Sequence, residues 1–429
     1  MMKKYFFLIL LSPAFLGAQV LTADDALHIG LKNNFDILVA KNQAEADSIM
    51  NTIGEAGMLP TVSLSANYTF NSNDIHQKYS SGSEITKKNV AGDNLNPGIA
   101  LNWTLFDGTK MFVTKNKLEQ IDMLGQYQFK TQVLNSSRDI LLAYYDIVRQ
   151  KEQLNATNEI IKYNEERVTI TQTRLDNGLG PKTDLLQAKI DLNVEKETKI
   201  NQELLLAEAK RNLNTIIARD VNTLYDVEDS IPLSTLSDRT QLEQKMYAAN
   251  PDLLAFKTQV EISKLAYKET KSYYYPRIGF VAGYNFNQTE NAAGFTLLNQ
   301  AYGWQTGLTF SMPIYQAGKQ NHQVEIAQMN IESSEFRFQQ ATLASSLQLQ
   351  NAFSIYDSNT QELELEKQNE TMARENMELA LQRLKLGQGT ALDVSLAQST
   401  LSSALFRLTG FEYNVKSSEI NVHRQAADL

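Results

Sequence analysis

The chain contains no cysteine, so neither a disulfide framework nor lipid attachment at an N-terminal cysteine is open to it. Twenty glycines and eight prolines in 429 residues are too few for an all-β protein with many turns. Histidine occurs four times, at His28, His76, His322 and His423, scattered and with no His-Glu-x-x-His spacing. A glycine-rich phosphate loop ending in Lys-Ser or Lys-Thr is also missing. Gly178-Leu179-Gly180-Pro181-Lys182-Thr183 comes nearest, but it lacks the spacing and no strand precedes it. An enzyme reading therefore has little to stand on, and no metal or cofactor is expected. The net charge of −9, without a basic run, argues against nucleic acid as a partner. Beyond the first residues no stretch reaches the roughly 18 apolar residues that a membrane helix requires. If the chain meets a lipid bilayer, it must do so as a β-barrel, the other structure that satisfies its backbone in hydrocarbon.

What is present begins with an address. Lys3 and Lys4 precede the apolar run Tyr5-Phe6-Phe7-Leu8-Ile9-Leu10-Leu11, which continues through Pro13 to Leu16, and Gly17-Ala18 offer small residues for cleavage. Residues 1–18 read as a secretory signal peptide, with Gln19 the mature N-terminus. Its removal takes away two lysines and moves the net charge to −11.

The remainder is written twice. Asn34-Phe35-Asp36-Ile37-Leu38 returns as Asn250-Pro251-Asp252-Leu253-Leu254, and Leu59-Pro60 as Tyr275-Pro276, both at an offset of 216. Arg174-Leu175, Gly178, Gly180 and Asp184 return as Arg383-Leu384, Gly387, Gly389 and Asp393 at an offset of 209. A near-constant offset held over such distances marks a tandem duplication. The seven-residue difference is expected in the loop after the first strand of the second half.

Each half carries two stretches that alternate with a period of two. Val62, Leu64, Ala66, Tyr68 and Phe70 share one face, with Thr61, Ser63, Ser65, Asn67 and Thr69 on the other. Ile99, Leu101, Trp103 and Leu105 follow suit, as do Ile278, Phe280, Ala282, Tyr284 and Phe286, then Tyr302, Trp304, Leu308 and Phe310. Four strands of about ten residues, apolar on one side and small or polar on the other, match a transmembrane β-barrel. A half-buried soluble sheet shows the same alternation, but export and the aromatic residues near the strand ends favour lipid. The Asn/Ser/Gly-rich stretches 72–98 and 288–301 read as exposed hairpin loops. Most of the rest is helical. Residues 109–177 hold no proline and one glycine, and 319–386 hold neither. Either helix would run roughly 100 Å, and Leu118, Ile121, Leu124, Ile140, Tyr144 and Ile147 recur at coiled-coil steps. Half-length helices are expected at 24–58, 183–218, 240–275 and 392–425, stacking end to end to match a long one.

The domain reading follows. A first repeat covers 19–218, with a β-hairpin at 61–106, a long helix at 109–177, a tip turn and a short helix. A linker at 219–239 forms a belt around the middle. The second repeat covers 240–429, with a hairpin at 277–315 and a long helix at 319–386. The tail after Val422 is expected to be mobile. Four strands cannot close a barrel, and open edges in lipid are prohibitively costly. The chain must therefore associate, and three copies give twelve strands, wide enough to hold water.

In these features the sequence resembles the TolC family of outer-membrane efflux proteins over its whole mature length. The resemblance rests on the doubled order of hairpin, strand-to-helix passage (Trp103-Thr104-Leu105-Phe106-Asp107-Gly108 and Phe310-Ser311-Met312-Pro313-Ile314-Tyr315) and glycine turn. It implies a mainly α fold with a small membrane β part. It further implies a homotrimer with a 12-stranded barrel in the outer membrane and an α-helical tunnel in the periplasm. The implied partners are outer-membrane lipid, a periplasmic adaptor protein and an inner-membrane pump of the RND or ABC kind.

The residues singled out lie at two places. At the tip, Gly178 and Gly387 are placed to take the left-handed conformation beyond a helix end. The resemblance implies that adaptors dock in grooves around Arg174, Gly178, Gly180, Arg383, Gly387 and Gly389, although these glycines also serve simply as turn residues. Asp184 and Asp393 suit helix N-capping. The resemblance adds an acidic constriction, each aspartate standing in a ring of three that favours cations. The chain departs from the family in having Leu396 one turn after Asp393 and Gly389 where an arginine often makes a gating link. Lys182, Arg383 or Lys385 are the substitute cations. At the membrane, Trp103, Trp304, Tyr68 and Tyr284 are candidates for an aromatic girdle. Tyr273–Tyr275 read as packing at the junction. Two other readings stay open: a channel for type I protein secretion, and a periplasmic coiled-coil scaffold, which would leave membranes with salt or carbonate.

Overall fold

The computed structural model describes residues 20–236, 238–292 and 296–429. The expected signal peptide at 1–18 lies outside the described residues. In chain order the elements are β1 (Val20–Leu21), α1 (Ala23–Asn33), α2 (Phe35–Met50), β2 (Thr61–Lys78), β3 (Glu84–Phe106), α3 (Lys110–Asp176) and α4 (Lys182–Ile216). They continue with β4 (Asp226–Val227), α5 (Arg239–Ala249), α6 (Pro251–Lys271), β5 (Arg277–Asn291), β6 (Leu298–Ser311), α7 (Lys319–Lys385) and α8 (Ala391–Ala426). The chain divides into two units whose boundaries fall inside α2, α3, α6 and α7.

The two long helices, α3 and α7, have 67 residues each, because nothing in either stretch removes an amide donor or breaks the ladder. The short helices differ from expectation. The one expected at 24–58 breaks at Asn34 and ends at Met50, and the one expected at 240–275 breaks at Asn250 and gives way to a 3-10 turn over Ser272–Tyr274. Both breaks have the same cause. Asn34 takes ψ 127° and Asn250 ψ 117°, so each leaves the helical region and begins a new helix. The Asn34 carboxamide oxygen accepts from the Ile37 amide at 3.0 Å, and that of Asn250 from the Asp252 amide at 2.9 Å. Their amide groups donate to the last carbonyls of other helices, Asn34 to Ile216 at 2.8 Å and Asn250 to Gln425 at 2.9 Å. Each buried asparagine thus starts one helix and finishes another.

The first unit comprises the stretches up to Asn42, Gln128–Leu253 and Ala341–Leu429. One core cluster gathers Leu21, Ile140, Tyr144, Ile147, Leu213, Ile217 and Val227. Each fully buried aliphatic side chain there contributes roughly 1.5–3 kcal/mol. Next to it β1 pairs in parallel with β4, Val20 facing Asp226 and Leu21 facing Val227. The Tyr144 hydroxyl donates to the Leu21 carbonyl at 3.0 Å and accepts from the Glu228 amide at 3.4 Å. A second cluster joins Ala156, Ile160 and Ile170 of α3 to Met377, Leu381 and Leu384 of α7 and Val394 and Leu401 of α8. The tail is not loose, for α8 runs to Ala426, with Val422 and Ala426 packed on Leu242 and Met246.

The second unit comprises Gln43–Tyr127 and Leu254–Gln340. Its sheet has the order β2-β3-β5-β6, antiparallel throughout. Register rows run straight across it, as in Leu64–Ile99–Tyr284–Trp304. The strands are far longer than expected, at 18, 23, 15 and 14 residues. The stretch 72–98 is almost all strand, with only Tyr79–Ser83 turning, and most of 288–301 is strand as well. Polar residues line both faces there, so no alternation betrays the strands, and backbone pairing alone carries them. Pro97 sits inside β3 opposite Ala66, while the β3–β5 ladder skips Asn96 and Pro97. The length lost in the second half shortens the hairpin strands themselves.

Candidate functional site

Two regions carry the candidate residues, the turns that end α3 and α7 in the first unit and the sheet of the second. A helix leaves its last four carbonyls without intrahelical partners. Here both long helices close with the same device. The Gly178 amide donates to the Leu175 carbonyl at 3.0 Å and the Leu179 amide to Arg174 at 2.7 Å. Likewise Gly387 donates to Leu384 at 3.1 Å and Gln388 to Arg383 at 2.8 Å. These are Schellman motifs. They require a left-handed residue, and Gly178 and Gly387 supply it with φ of +69° and +73°.

The arginines that open the repeated motif bind these turns. Arg174 Nη2 donates to the Leu179 carbonyl at 3.1 Å, and Arg383 Nη2 to the Gln388 carbonyl at 3.4 Å. Gly180 and Gly389 lie against the arginine stems, since a Cβ on either would stand 3.4 Å from Arg174 Cβ or 3.1 Å from Arg383 Cβ. Arg174 goes further. Its Nη1 donates to the Leu384 carbonyl at 2.9 Å, tying the tip of the first repeat to that of the second.

The aspartates differ from each other. Asp393 is the third residue of α8 and closes a capping box, its amide donating to the Thr390 hydroxyl at 3.2 Å while its carboxylate accepts from the Thr390 amide at 2.9 Å. That amide, with the Thr390 hydroxyl and the Arg383 charge, holds the Asp393 carboxyl below its ordinary pKa. Asp184 has no such box, because Pro181 occupies the cap and offers no side-chain acceptor. The two aspartates lie on separate helices, each one turn from the tip. Neither Lys182 nor Lys385 forms an ion pair among the described residues, and of the candidate substitute cations it is Arg383 whose charge acts on Asp393.

Behind the tip lies a polar network that the sequence did not reveal. Arg167, only 1% exposed, donates through Nη1 to Asp191 at 2.7 Å, and the Ser395 hydroxyl donates to the same carboxylate at 3.4 Å. Arg374 pairs with Glu159 and Glu370, and Arg407 with Glu366 at 2.9 Å. At offset 209 the positions matching Arg167 and Asp191 are Asn376 and Thr400. The repeat comparison could therefore have marked this pair as a departure from the duplicated pattern.

On the sheet, Leu64, Tyr68, Phe70, Trp304, Leu308 and Phe310 stand out into solvent, with Leu64 77% and Trp304 78% exposed. The opposite face carries glycines, serines and threonines, and a Cβ at Gly279 would come within 2.6 Å of the Thr309 hydroxyl. Tyr284 and Trp304 face each other across β5 and β6. Trp103 sits closer to the end of its strand, donating its indole N–H to the Met58 carbonyl at 2.9 Å, and Tyr68 lies opposite Leu95. The four girdle candidates share the apolar face but fall on three register rows, Tyr284 and Trp304 sharing one. Of Tyr273–Tyr275, the Tyr273 hydroxyl accepts from Lys110 at 3.4 Å and the Tyr274 hydroxyl donates to Asn321 at 2.7 Å.

Known proteins resemble this chain along nearly all of its length. The proteases secretion protein PrtF of Dickeya chrysanthemi is 20% identical over 424 residues, covering 96% of this chain and 89% of that protein. The outer membrane protein TolC of Escherichia coli is 23% identical over 404 residues, covering 89% and 78%. The Campylobacter jejuni CmeC outer membrane channel superposes with a TM-score of 0.77 at 17% identity, covering 95% of this chain and 85% of that one. The fold neighbours are channels rather than enzymes. The family model described as outer membrane efflux protein matches residues 26–219 and 242–426, both halves of the duplication, and the chain belongs to that family.

Proposed function

We propose that the chain is one protomer of a homotrimeric exit duct in the outer membrane, passively conducting substrates that a periplasmic adaptor and an inner-membrane pump deliver. The observation that carries this reading is the sheet of the second unit. It exposes an apolar face such as Leu64–Ile99–Tyr284–Trp304, and its outer strands β2 and β6 each pair on one side only among the described residues. In water such a face invites aggregation, whereas in lipid it is the required surface once the edges are paired. From Ile278 to Phe286 the apolar face extends about 27 Å along the strand, close to the roughly 25 Å band of outer-membrane barrels. Three copies joined edge to edge make twelve strands. Residues 219–239 serve as the linker between repeats, and the tip around Asp184 and Asp393 as the gate to which the adaptor docks.

Single-channel conductance of the purified protein in planar bilayers tests this, alongside an Asp184→Ala, Asp393→Ala double variant. A small cation-preferring current that rises in the variant supports a duct gated at its acidic tip. An unchanged current keeps the duct and assigns Asp393 to capping alone. Protein that leaves membranes with carbonate and carries no current would instead be a periplasmic scaffold. Two relatives are named for protease secretion, so the duct equally suits a type I secretion system; its pump decides the cargo.

A further inference from the structure

The polar face of the sheet carries a single charge, at the end where the strands join the helices. On β5 that face takes Arg277, Gly279 and every second residue to Asn291, while Ile278 to Phe286 alternate on the apolar side. Arg277 stands across from Ser311, the last residue of β6. From the row Thr104–Gly279–Thr309 to the row Asn71–Gly92–Asn291 every residue on the polar face is uncharged, as in Ser65–Gly98–Asn285–Gly303. This neutral wall runs about 45 Å beyond the arginine. The other charges within these rows, Asp93 and Glu290, stand opposite each other and Phe70, on the apolar face. Arg277 is fixed in place without being neutralised. Its Nη2 donates to the Thr104 hydroxyl at 3.1 Å, across Gly279, which offers no side chain in between. The residue is exposed and forms no ion pair among the described residues. The charges beside it are engaged elsewhere. Both oxygens of Asp107 accept from the Met111 amide at 3.1 Å, and Lys110 faces Glu269 at 3.9 Å.

We propose that Arg277 sets the charge preference of the duct at its neck, where the strands give way to α6 and α7, by drawing small anions into the lumen. This rests on the trimeric duct proposed above, whose lumen the polar face lines. Threefold symmetry places three guanidiniums in one ring on a wall with no other charge. A ring of arginines favours anions as a ring of carboxylates favours cations. Its sign is opposite to that of Asp184 and Asp393. The field reaches about 10 Å from the wall at 0.1 M salt and about 3 Å at 1 M. The preference is therefore pronounced in dilute salt and lost in concentrated salt.

Reversal potentials of the full-length protein in planar bilayers, measured across a KCl gradient, test this. The Asp184→Ala, Asp393→Ala variant serves as the background, so that the tip acids do not mask the neck. Adding Arg277→Gln should lower the chloride-to-potassium permeability ratio on the order of threefold near 0.1 M salt. Arg277→Lys should keep the ratio of the background, and near 1 M salt all three should coincide. Because the chain has no cysteine, Arg277→Cys supplies its only thiol. A methanethiosulfonate bearing trimethylammonium should return the ratio toward that of arginine, and one bearing sulfonate should drive it the other way. Both are read in one channel before and after the reagent, which leaves folding out of the comparison. A ratio that ignores both reagents, although mass spectrometry shows the thiol modified, overturns the ring and leaves the duct standing. So does a conducting channel whose thiol neither reagent modifies, since the residue is then not in the aqueous lumen. Wild-type protein that carries no current and leaves membranes with carbonate overturns the duct, and the ring with it.

Discussion

Replacing Glu152 with glutamine should stabilise the protein at alkaline pH and leave it nearly unchanged in acid. Glu152 lies on α3, where the Ile231 amide donates to its carboxyl while Oε2 is buried without a partner. Burial first, and the Glu412 carboxylate second, push its pKa from 4.5 up to about 7. Burial raises Glu412 as well, so neither acid offers the other a counter-charge. The folded protein therefore binds a proton that the unfolded chain releases between 4.5 and about 7, and stability falls as pH rises through that window. For a sealed group the displacement would amount to about 3 kcal/mol. Water reaches part of this side chain, and screening reduces the figure to about 1–2 kcal/mol. Glutamine keeps an acceptor for the Ile231 amide and cannot ionise. Thermal unfolding of wild type and Glu152→Gln, followed by circular dichroism at a series of pH values, gives two curves. Their difference isolates Glu152 together with its repulsion from Glu412, because other raised acids such as Glu195 contribute equally to both. The curves should meet near pH 5 and separate by about 1–2 kcal/mol near pH 8. Parallel curves would mean that the carboxyl is fully hydrated when ionised, and would refute the argument.

Other perturbations have equally definite expectations. Asn34→Ala and Asn250→Ala each lose a buried link to the end of another helix, and each should lower stability by about 1–3 kcal/mol in urea unfolding. Asp191→Asn leaves the Arg167 charge buried without its counter-ion and should cost about 3–5 kcal/mol. The matching change in the second half, Thr400→Ala, should stay within about 0.5 kcal/mol by the same measurement. Gly178→Ala and Gly387→Ala force a side chain into the left-handed region and should each cost about 1–2 kcal/mol, read as earlier hydrogen exchange at the tip amides.

The long helices were legible because their signal is an absence, and 67 residues without an internal proline leave few alternatives. The turns were legible because glycine at the end of such a run has one common use. Strand length was not. Pairing beyond the alternating stretches needs only backbone groups, so 72–98, with its Asn-Pro-Gly sequence, carried turn chemistry and yet formed strand. Partners far along the chain were equally hidden. Asn34 and Asn250 stood out as anchors of the repeat, but what each one binds lies 182 and 175 residues away. Arg174 could be recognised as part of the tip, while its acceptor is 210 residues distant. The difference between Asp184 and Asp393 was written in plain view, as proline in one cap position and threonine in the other.

The alternating strands have a consequence for the chain in transit. Between Val62 and Phe70 every second residue is polar, so the mean apolarity of the segment never reaches what would halt a polypeptide on its way through the inner membrane. The greasy surface does not exist in the linear chain. It comes into being only when pairing sorts odd residues from even, which happens after the inner membrane has been left behind. A protein destined for one bilayer must first pass another unnoticed, and a period of two allows the same residues to be inconspicuous in the first and at home in the second.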